Sequence, residues 1–216
     1  MHNLNSTNLY WFFEDGFTNE QCDYAINLGS NLKYNLGTIG TIGSRNIDKI
    51  PLNDKETKII KKTRDSDVVF LDDQNIYQLL WKFLDTANKN SGWNYQIDFT
   101  EQVQLTRYKI NKFYDWHQDQ WNKPYGDDVE LGKQGKIRKL SMVVLLSDPK
   151  DFKGGNLQFY SPNPLTPTKN HILDCKELKK RGSLVVFPSY LWHRVKPVTK
   201  GIRYSLVAWN CGNLWT

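Results

Sequence analysis

Cysteine is scarce in this chain of 216 residues, which has only Cys22, Cys175 and Cys211. No two of them form a CxxC pair. Disulfide frameworks and structural zinc sites both need several cysteines at short, regular spacings. Neither is therefore predicted, and we expect the thiols to be reduced.

Long apolar runs and a basic leader segment are also missing. No stretch approaches the roughly 18 to 20 apolar residues of a membrane-spanning helix. The first ten residues are polar and rich in asparagine, unlike a secretory signal. We therefore expect a soluble, cytoplasmic monomer without a membrane partner. The length suits a single domain, residues 1–216, with its own core.

Positive charge is in excess, with a formal net charge of +6. Many of the lysines fall in two short stretches, 55–62 and 176–180, and aromatic residues that could stack on bases are not interleaved with them. A solvated, lysine-rich surface explains this pattern better than a nucleic-acid groove does. The charge alone therefore predicts no nucleic-acid partner.

Helical patterns are confined to the first half of the chain. Thr18 and Gln21 have the spacing of a capping box, which predicts a helix that ends near Asn31. A clearer helix is predicted over 75–90, where apolar residues recur on one face and Asp72 or Asp73 can cap the start. Residues 33–67 contain glycines and only a weak apolar pattern, so they are predicted to form a long mobile segment.

From Phe99 onward the apolar residues alternate, as in β-strands. Strands are predicted over 101–109, 139–146, 156–160, 183–187, 192–198 and 203–210. Helices followed by strands predict an α+β domain, in which a helical N-terminal part, about 1–98, buttresses a β-sandwich or jelly roll, about 99–212.

Three residues have the chemistry of an iron site. His117 and Asp119 are two apart, so in an extended chain they point to the same face. A neighbouring strand can supply His193 as the third ligand. Two imidazoles and one carboxylate form the facial triad that holds iron(II) and leaves positions open for oxygen and a co-substrate. Taken singly, each histidine is better explained as a structural residue, and it is their combination with Asp119 and Arg203 that favours a metal site.

Arg203 and Tyr108 are candidates for binding a co-substrate. Arg203 shares one face of the last predicted strand with Ser205, Val207 and Trp209, and no acidic residue in that strand can neutralise it. A dicarboxylate such as 2-oxoglutarate would pair with the guanidinium in bidentate fashion. Tyr108 can add a hydroxyl to the same carboxylate. A distant acidic partner for Arg203, and a packing role for Tyr108, remain the structural alternatives.

Several ordered motifs together resemble the prolyl 4-hydroxylase family of iron and 2-oxoglutarate dioxygenases, in particular its bacterial PKHD-type branch. The resemblance covers residues 103–210, with looser similarity over 13–22 and 64–71. Its motifs are Leu105-Thr-Arg-Tyr108, Trp116-His117-Gln118-Asp119, the stretch 140–148, Gly154-Gly155-Asn156-Leu157, the stretch 182–188, and His193 to Arg203.

The resemblance implies a double-stranded β-helix with His117, Asp119 and His193 as iron ligands. It implies that Arg203 and Tyr108 bind 2-oxoglutarate, and that oxygen and ascorbate are also needed. Related oxygen-sensing enzymes have a second tyrosine where this chain has Val143, Val144 and Leu145. The co-substrate pocket should therefore be partly apolar at that wall.

Hydroxylation of a proline residue in a peptide or protein is the first functional prediction, with Tyr114, Trp121 and Trp209 as candidate substrate-binding residues. Hydroxylation of a free amino acid or other small molecule is the second. Oxidative demethylation of nucleic acid is the third, and a jelly-roll binding module without catalysis is the non-enzymatic alternative. Residues 33–67 and 122–136 are candidate lids over the site.

Overall fold

The computed structural model describes residues 8–39, 52–163 and 166–214, except for the side chains of 162–170. The helices within these ranges are α1 (Asn19–Ser30), α2 (Asp54–Thr63) and α3 (Gln74–Asn90). None of these helices is long and apolar enough to span a membrane.

The two predicted helices form for the reasons that their sequences indicate. The Thr18 side chain accepts a hydrogen bond from the Gln21 backbone, while the Gln21 side chain accepts one from the Thr18 backbone, so the capping box is complete. The Asp73 side chain caps α3 by accepting from the Ile76 backbone N–H at 3.0 Å. The buried face of α3 is the predicted apolar one, with Ile76, Leu80, Leu84 and Ala87.

Helix α2 lies inside the segment predicted to be mobile, so for residues 54–63 that prediction was wrong. Asn53 and Glu56 form a second capping box, with acidic residues in the first turn and Lys61 and Lys62 in the last turn. These charges suit the helix dipole. Ile60 is the buried residue of this helix, which explains why the apolar pattern was weak. Residues 40–51 of the predicted segment lie outside the described residues.

Fifteen strands run through the described parts of the chain. They are β1 (Trp11–Phe13), β2 (Asn35–Leu36), β3 (Arg64–Asp65), β4 (Asp67–Leu71), β5 (Phe99–Thr100), β6 (Val103–Tyr108), β7 (Phe113–His117), β8 (Ile137–Leu145), β9 (Phe152–Gly154), β10 (Leu157–Asn163), β11 (Thr166–Asp174), β12 (Leu184–Pro188), β13 (His193–Val195), β14 (Val198–Gly201) and β15 (Arg203–Gly212).

The strands form two main antiparallel sheets. The major sheet has the order β1-β12-β8-β15-β6-β4-β2, with β5 paired to β15, and the minor sheet has the order β11-β10-β13-β7-β3. Strands β9 and β14 pair with each other. The predicted strand over 192–198 is thus two strands, β13 and β14, which belong to different sheets. Strands β7, β9 and β11 and the short strands β1 to β5 were not predicted.

Two apolar clusters lie on opposite faces of the major sheet. The first contains Ala25 from α1 and Leu80 from α3 together with Leu105 and Met142 of the sheet. The second lies between the two main sheets. Strand β15 serves both, because Leu206 and Ala208 enter the first cluster while Val207 packs against the second. The face of β15 that carries Arg203 is therefore the inner one, as the alternation predicted.

Candidate active site

Strand pairing brings the two predicted histidine ligands together. Strands β13 and β7 are antiparallel, and their register places His193 opposite His117. Residues opposite each other on neighbouring strands project to the same face. The chain turns after His117, and the backbone N–H groups of Asp119 and Gln120 both donate to the Ser189 carbonyl. This turn directs the Asp119 carboxylate between the two imidazoles.

Each of the two histidines has its Nε2 atom available to bind a metal. His117 Nδ1 lies 2.7 Å from the carbonyl oxygen of Asp115, and His193 Nδ1 lies 2.9 Å from that of Leu191. A carbonyl only accepts hydrogen bonds, so Nδ1 must carry the proton in each ring. The lone pair of a neutral ring then lies on Nε2, the atom that faces Asp119. Backbone carbonyls commonly fix metal-binding histidines in this way.

The geometry fits one metal ion. His117 Nε2 lies 3.6 Å from Asp119 Oδ1, and His193 Nε2 lies 3.5 Å from Asp119 Oδ2. These separations are too long for good hydrogen bonds. One ligand atom from each of the three residues lies within 4.8 Å of the others. Since a metal binds nitrogen and oxygen at about 2.0 to 2.2 Å, a single ion can reach all three.

Two buried serines support the carboxylate. Ser141 Oγ donates to Asp119 Oδ2 at 2.7 Å and lies 2.8 Å from Ser189 Oγ. Both serines are completely buried. Neither serine was predicted, because nothing local in the sequence indicates that β8 and the end of β12 meet Asp119. They fix the orientation of a ligand before any metal binds.

Protonation states in the site favour metal binding. Burial, together with the adjacent His193, lowers the pKa of His117 well below its ordinary value. Burial opposes ionisation of Asp119, but the two histidines, Arg138 and the Ser141 hydroxyl outweigh it and lower the pKa of the carboxyl group. A neutral imidazole and an ionised carboxylate are the forms that bind a metal.

Arg203 lies deeper between the sheets and is only 2 % exposed. Its Nη1 donates to Ser205 Oγ at 3.0 Å, and no carboxylate of the described side chains forms an ion pair with it. Burial lowers the pKa of Arg203, although Tyr108 opposes this effect. Gly155 allows the close approach, because a Cβ there would lie 2.7 Å from Arg203 Cδ. A buried guanidinium without a counterion is expected to bind an anion.

Tyr108 lies beside Arg203, as its place in the sequence predicted. The two residues are opposite each other on β6 and β15, and the guanidinium carbon is 5.7 Å from the centre of the Tyr108 ring. The walls around them are apolar and include Val143, Leu157 and Val185. Apolar surroundings of this kind suit the methylene groups of a short dicarboxylate whose far end pairs with the arginine.

The three predicted substrate aromatics lie around the triad and Arg138. The Tyr114 ring stacks on His117 with the ring centres 3.4 Å apart. The Arg138 guanidinium lies 4.0 Å from the Trp209 ring and 6.0 Å from that of Trp121. Trp209 Nε1 is buried and has no hydrogen-bond partner among the described residues.

Arg138 and Arg64 are two further charged residues of the site, and the sequence analysis missed both. A register shift in the β8–β15 pairing, between Asn210 and Cys211, places Arg138 opposite Cys211. This irregularity lets Arg138 share the Trp209 side of the sheet. Arg64 is 4 % exposed and stacks 4.5 Å above the Tyr114 ring. A β-bulge and a two-residue edge strand leave no periodic signal in a sequence.

A His–Asp–His cluster between two antiparallel sheets, with a buried arginine behind it, is the arrangement of a non-haem iron oxygenase. The chain belongs to the 2OG-Fe(II) oxygenase superfamily, because the model of that family matches residues 103–211. This membership implies iron(II), 2-oxoglutarate and oxygen as cofactor and co-substrates, and ascorbate is usual in the family. It confirms the predicted family and class of enzyme.

Relatives of known type are PKHD-type hydroxylases. One from Synechococcus sp. (strain JA-2-3B'a(2-13)) is 30% identical over 108 residues, which are 50% of this chain and 41% of that protein. PKHD-type hydroxylase PiuC of Pseudomonas aeruginosa is 33% identical over 82 residues, or 38% of this chain and 32% of its own. The chain thus matches less than half the length of these relatives.

Solved structures with a similar fold include prolyl hydroxylases. The viral collagen prolyl hydroxylase of Paramecium Bursaria Chlorella virus-1 superposes with a TM-score of 0.59 at 17% identity, over 95% of this chain and 97% of that one. A Pseudomonas putida prolyl-4-hydroxylase gives a TM-score of 0.58 at 18% identity, over 94% and 92%. At such identities the likeness concerns the fold, and it confirms the predicted jelly roll.

Proposed function

We propose that this chain hydroxylates a proline residue within a peptide or protein, with iron(II) bound by His117, Asp119 and His193. The observation that carries the proposal is the buried, uncompensated guanidinium of Arg203 behind a preformed His–Asp–His cluster. A cluster alone would suit many metals, and an arginine alone would suit many anions. Together they suit an iron enzyme with a dicarboxylate co-substrate.

In this proposal, Arg203 and Tyr108 bind the distal carboxylate of 2-oxoglutarate. The planar guanidinium can donate two parallel hydrogen bonds to one carboxylate, and the pocket has no competing described carboxylate. The buried Tyr108 hydroxyl offers a third. The apolar walls contact the methylene groups and keep water away from the charged end.

A peptide is favoured by the donors and aromatic faces around the metal site. The Trp209 Nε1, which has no partner among the described residues, can donate to a peptide carbonyl, and the Arg138 Nη1, which the Glu101 pair leaves over, can contribute a further donor. Flat rings such as those of Tyr114 and Trp209 pack well against the pyrrolidine ring of proline. A fold shared with prolyl hydroxylases, one of them solved with a peptide fragment bound, is consistent with this substrate.

Iron and 2-oxoglutarate would supply the oxidising chemistry, with release of succinate and carbon dioxide. The chain itself orients the reactants and excludes water. Asp119, held by Ser141, would bind the metal together with His117 and His193, and Ser141 lies opposite Trp209 in the pairing of β8 and β15. Arg203 fixes the co-substrate deeper on the same face. The substrate carbon must then approach from the side of Tyr114 and Trp209.

The test is product analysis with purified protein, iron(II), 2-oxoglutarate and ascorbate. A panel of proline-containing peptides is compared with the same peptides carrying alanine for proline, and with free proline. Succinate formation that depends on the peptide, with one oxygen atom added to the proline residue, is expected. Turnover of free proline at the rate of the best peptide would favour the small-molecule alternative instead.

A matched pair of histidine variants controls for folding. His117→Ala should lose all turnover, whereas His171→Ala should retain it, because His171 is exposed in β11. If both variants keep wild-type succinate formation, the proposed iron site is wrong.

A further inference from the structure

Glu101 is a buried carboxylate just outside the metal site, with donors from three parts of the chain. It follows β5 and is 6 % exposed, and its backbone N–H donates to the Trp209 carbonyl at 3.0 Å. Its side chain accepts from Arg138 Nε at 2.6 Å and from Arg138 Nη2 at 2.8 Å. The pair is therefore bidentate, which fixes the plane of the guanidinium.

The same carboxylate also holds the β7–β8 loop, residues 118–136. The Tyr125 hydroxyl donates to Oε1 at 2.6 Å, and Lys133 Nζ donates to Oε2 at 2.9 Å. The Lys133 ammonium also lies 4.3 Å from the centre of the Tyr125 ring. Cys211 Sγ of β15 also donates to Oε1 at 3.5 Å. Each carboxylate oxygen thus accepts from both Arg138 and the loop, so movement of the loop and of Arg138 is linked.

We propose that Glu101 is a positioning residue, which presents Arg138 to the substrate and ties the β7–β8 loop to that arrangement. With Nε and Nη2 bound to Glu101, Nη1 of Arg138 is left without an acceptor among the described residues. The Trp209 ring covers one face of the guanidinium. The remaining free donors can therefore meet a peptide carbonyl only in the orientation that Glu101 sets. This inference rests on the proposed function.

Electrostatics agree with this arrangement. Burial opposes ionisation of Glu101, but Arg138 and Lys133 outweigh it and lower the pKa of the carboxyl group to about 2. Arg138 in turn lowers the pKa of Asp119, so its charge acts on the metal site.

The first test is steady-state kinetics of Glu101→Gln, with peptide and 2-oxoglutarate varied separately. The KM for peptide is expected to rise by about tenfold, the effect of losing one modest contact. The KM for 2-oxoglutarate should stay within about twofold, because Glu101 is remote from Arg203. A change of the same size in both constants would overturn the proposal.

Two lysines of the loop offer a matched comparison. Lys133 pairs with Glu101 at 2.9 Å, whereas Lys136 pairs with Asp98 at 2.6 Å, and their side chains are 18% and 16% exposed. Lys133→Met should raise the peptide KM roughly two- to fivefold, the range of a partly screened ion pair. Lys136→Met should leave it unchanged. Equal effects would mean that general loop stiffness matters and would overturn the role of Glu101.

A second measurement needs no substrate. Phenylglyoxal labelling of Arg138, followed by mass spectrometry, should be at least severalfold faster in Glu101→Gln than in the wild type. If the wild type hydroxylates no peptide, the proposed function is wrong. The labelling rates then still test whether Glu101 holds Arg138 in place. Equal labelling rates would overturn the proposal. Should Glu101→Gln not fold, Tyr125→Phe replaces it in both measurements, with the same expected directions.

Discussion

Replacing Arg203 with methionine should have two opposite effects, because the guanidinium is buried with no carboxylate beside it. Arg203 has one hydrogen bond to a neutral side chain, that of Ser205, and burial lowers its pKa. In the protein without co-substrate, no carboxylate of the described residues offsets the free-energy cost of burying this charge. We therefore expect Arg203→Met to stabilise the protein alone and to weaken binding of 2-oxoglutarate.

The magnitudes follow from the contacts that are lost and from the charge that is removed. A hydrogen bond to a charged group contributes about 1.5 to 3 kcal/mol, which corresponds to roughly 10- to 150-fold in the Kd for 2-oxoglutarate. Replacing buried charges by apolar groups of similar volume stabilises proteins by up to about 4 kcal/mol. A gain of about 1 kcal/mol would raise the Tm by about 2 to 4 °C in a chain of this size.

The assay is thermal unfolding of wild type and Arg203→Met, each with and without 2-oxoglutarate and a redox-inert divalent metal. 2-Oxoglutarate should raise the Tm of the wild type more than that of the variant, because a ligand stabilises a protein only to the extent that it binds the folded state. Metal affinity should be equal in the two proteins. A variant that unfolds at lower temperature and binds 2-oxoglutarate normally would refute the reasoning and assign Arg203 a structural role.

Three further results are expected. Asp119→Asn should lose most of its cobalt(II) affinity in titrations followed by absorption, while His171→Ala binds as the wild type does; equal affinities would remove Asp119 from the site. Ser141→Ala should weaken metal binding by about 10- to 100-fold, and Ser141→Thr, which keeps the hydroxyl, should restore it. An unchanged metal affinity in Ser141→Ala would show that the Ser141 hydroxyl does not orient Asp119. The pKa of Glu101 is lowered from 4.5 to about 2, so the ionised carboxylate stabilises the folded protein by about 3 kcal/mol above pH 4.5, and this contribution is lost as the pH falls towards 2. In urea unfolding, the free energy of unfolding of Glu101→Gln should lack this decrease at acid pH, and a pH dependence identical to that of the wild type would contradict the assignment.

Local sequence determined those elements whose cause is local. The capping box at Thr18 and the apolar face of α3 need only residues three and four apart, so they were read correctly. The alternation in β15 predicted that Arg203 and Trp209 share one face, because side chains alternate along any strand. The structure shows that this face is the buried one. The spacing of His117 and Asp119 predicted that the two side chains lie together, but β7 ends at His117 and a turn held by the Ser189 carbonyl, rather than an extended chain, brings Asp119 to the site.

Tertiary structure decided everything that depends on partners distant in sequence. His193 meets His117 only because β13 pairs with β7, and a long interval of chain separates them. Arg138 faces the site only because the β8–β15 register shifts, and a one-residue shift reverses the face of a side chain. Helix α2 buries a single isoleucine, so its periodicity was too weak to read even though its caps are complete. Strand register and bulges are set by packing between sheets, which leaves no periodic pattern in the sequence. Helix caps and strand alternation arise within a few residues, so they can be recognised from the sequence alone.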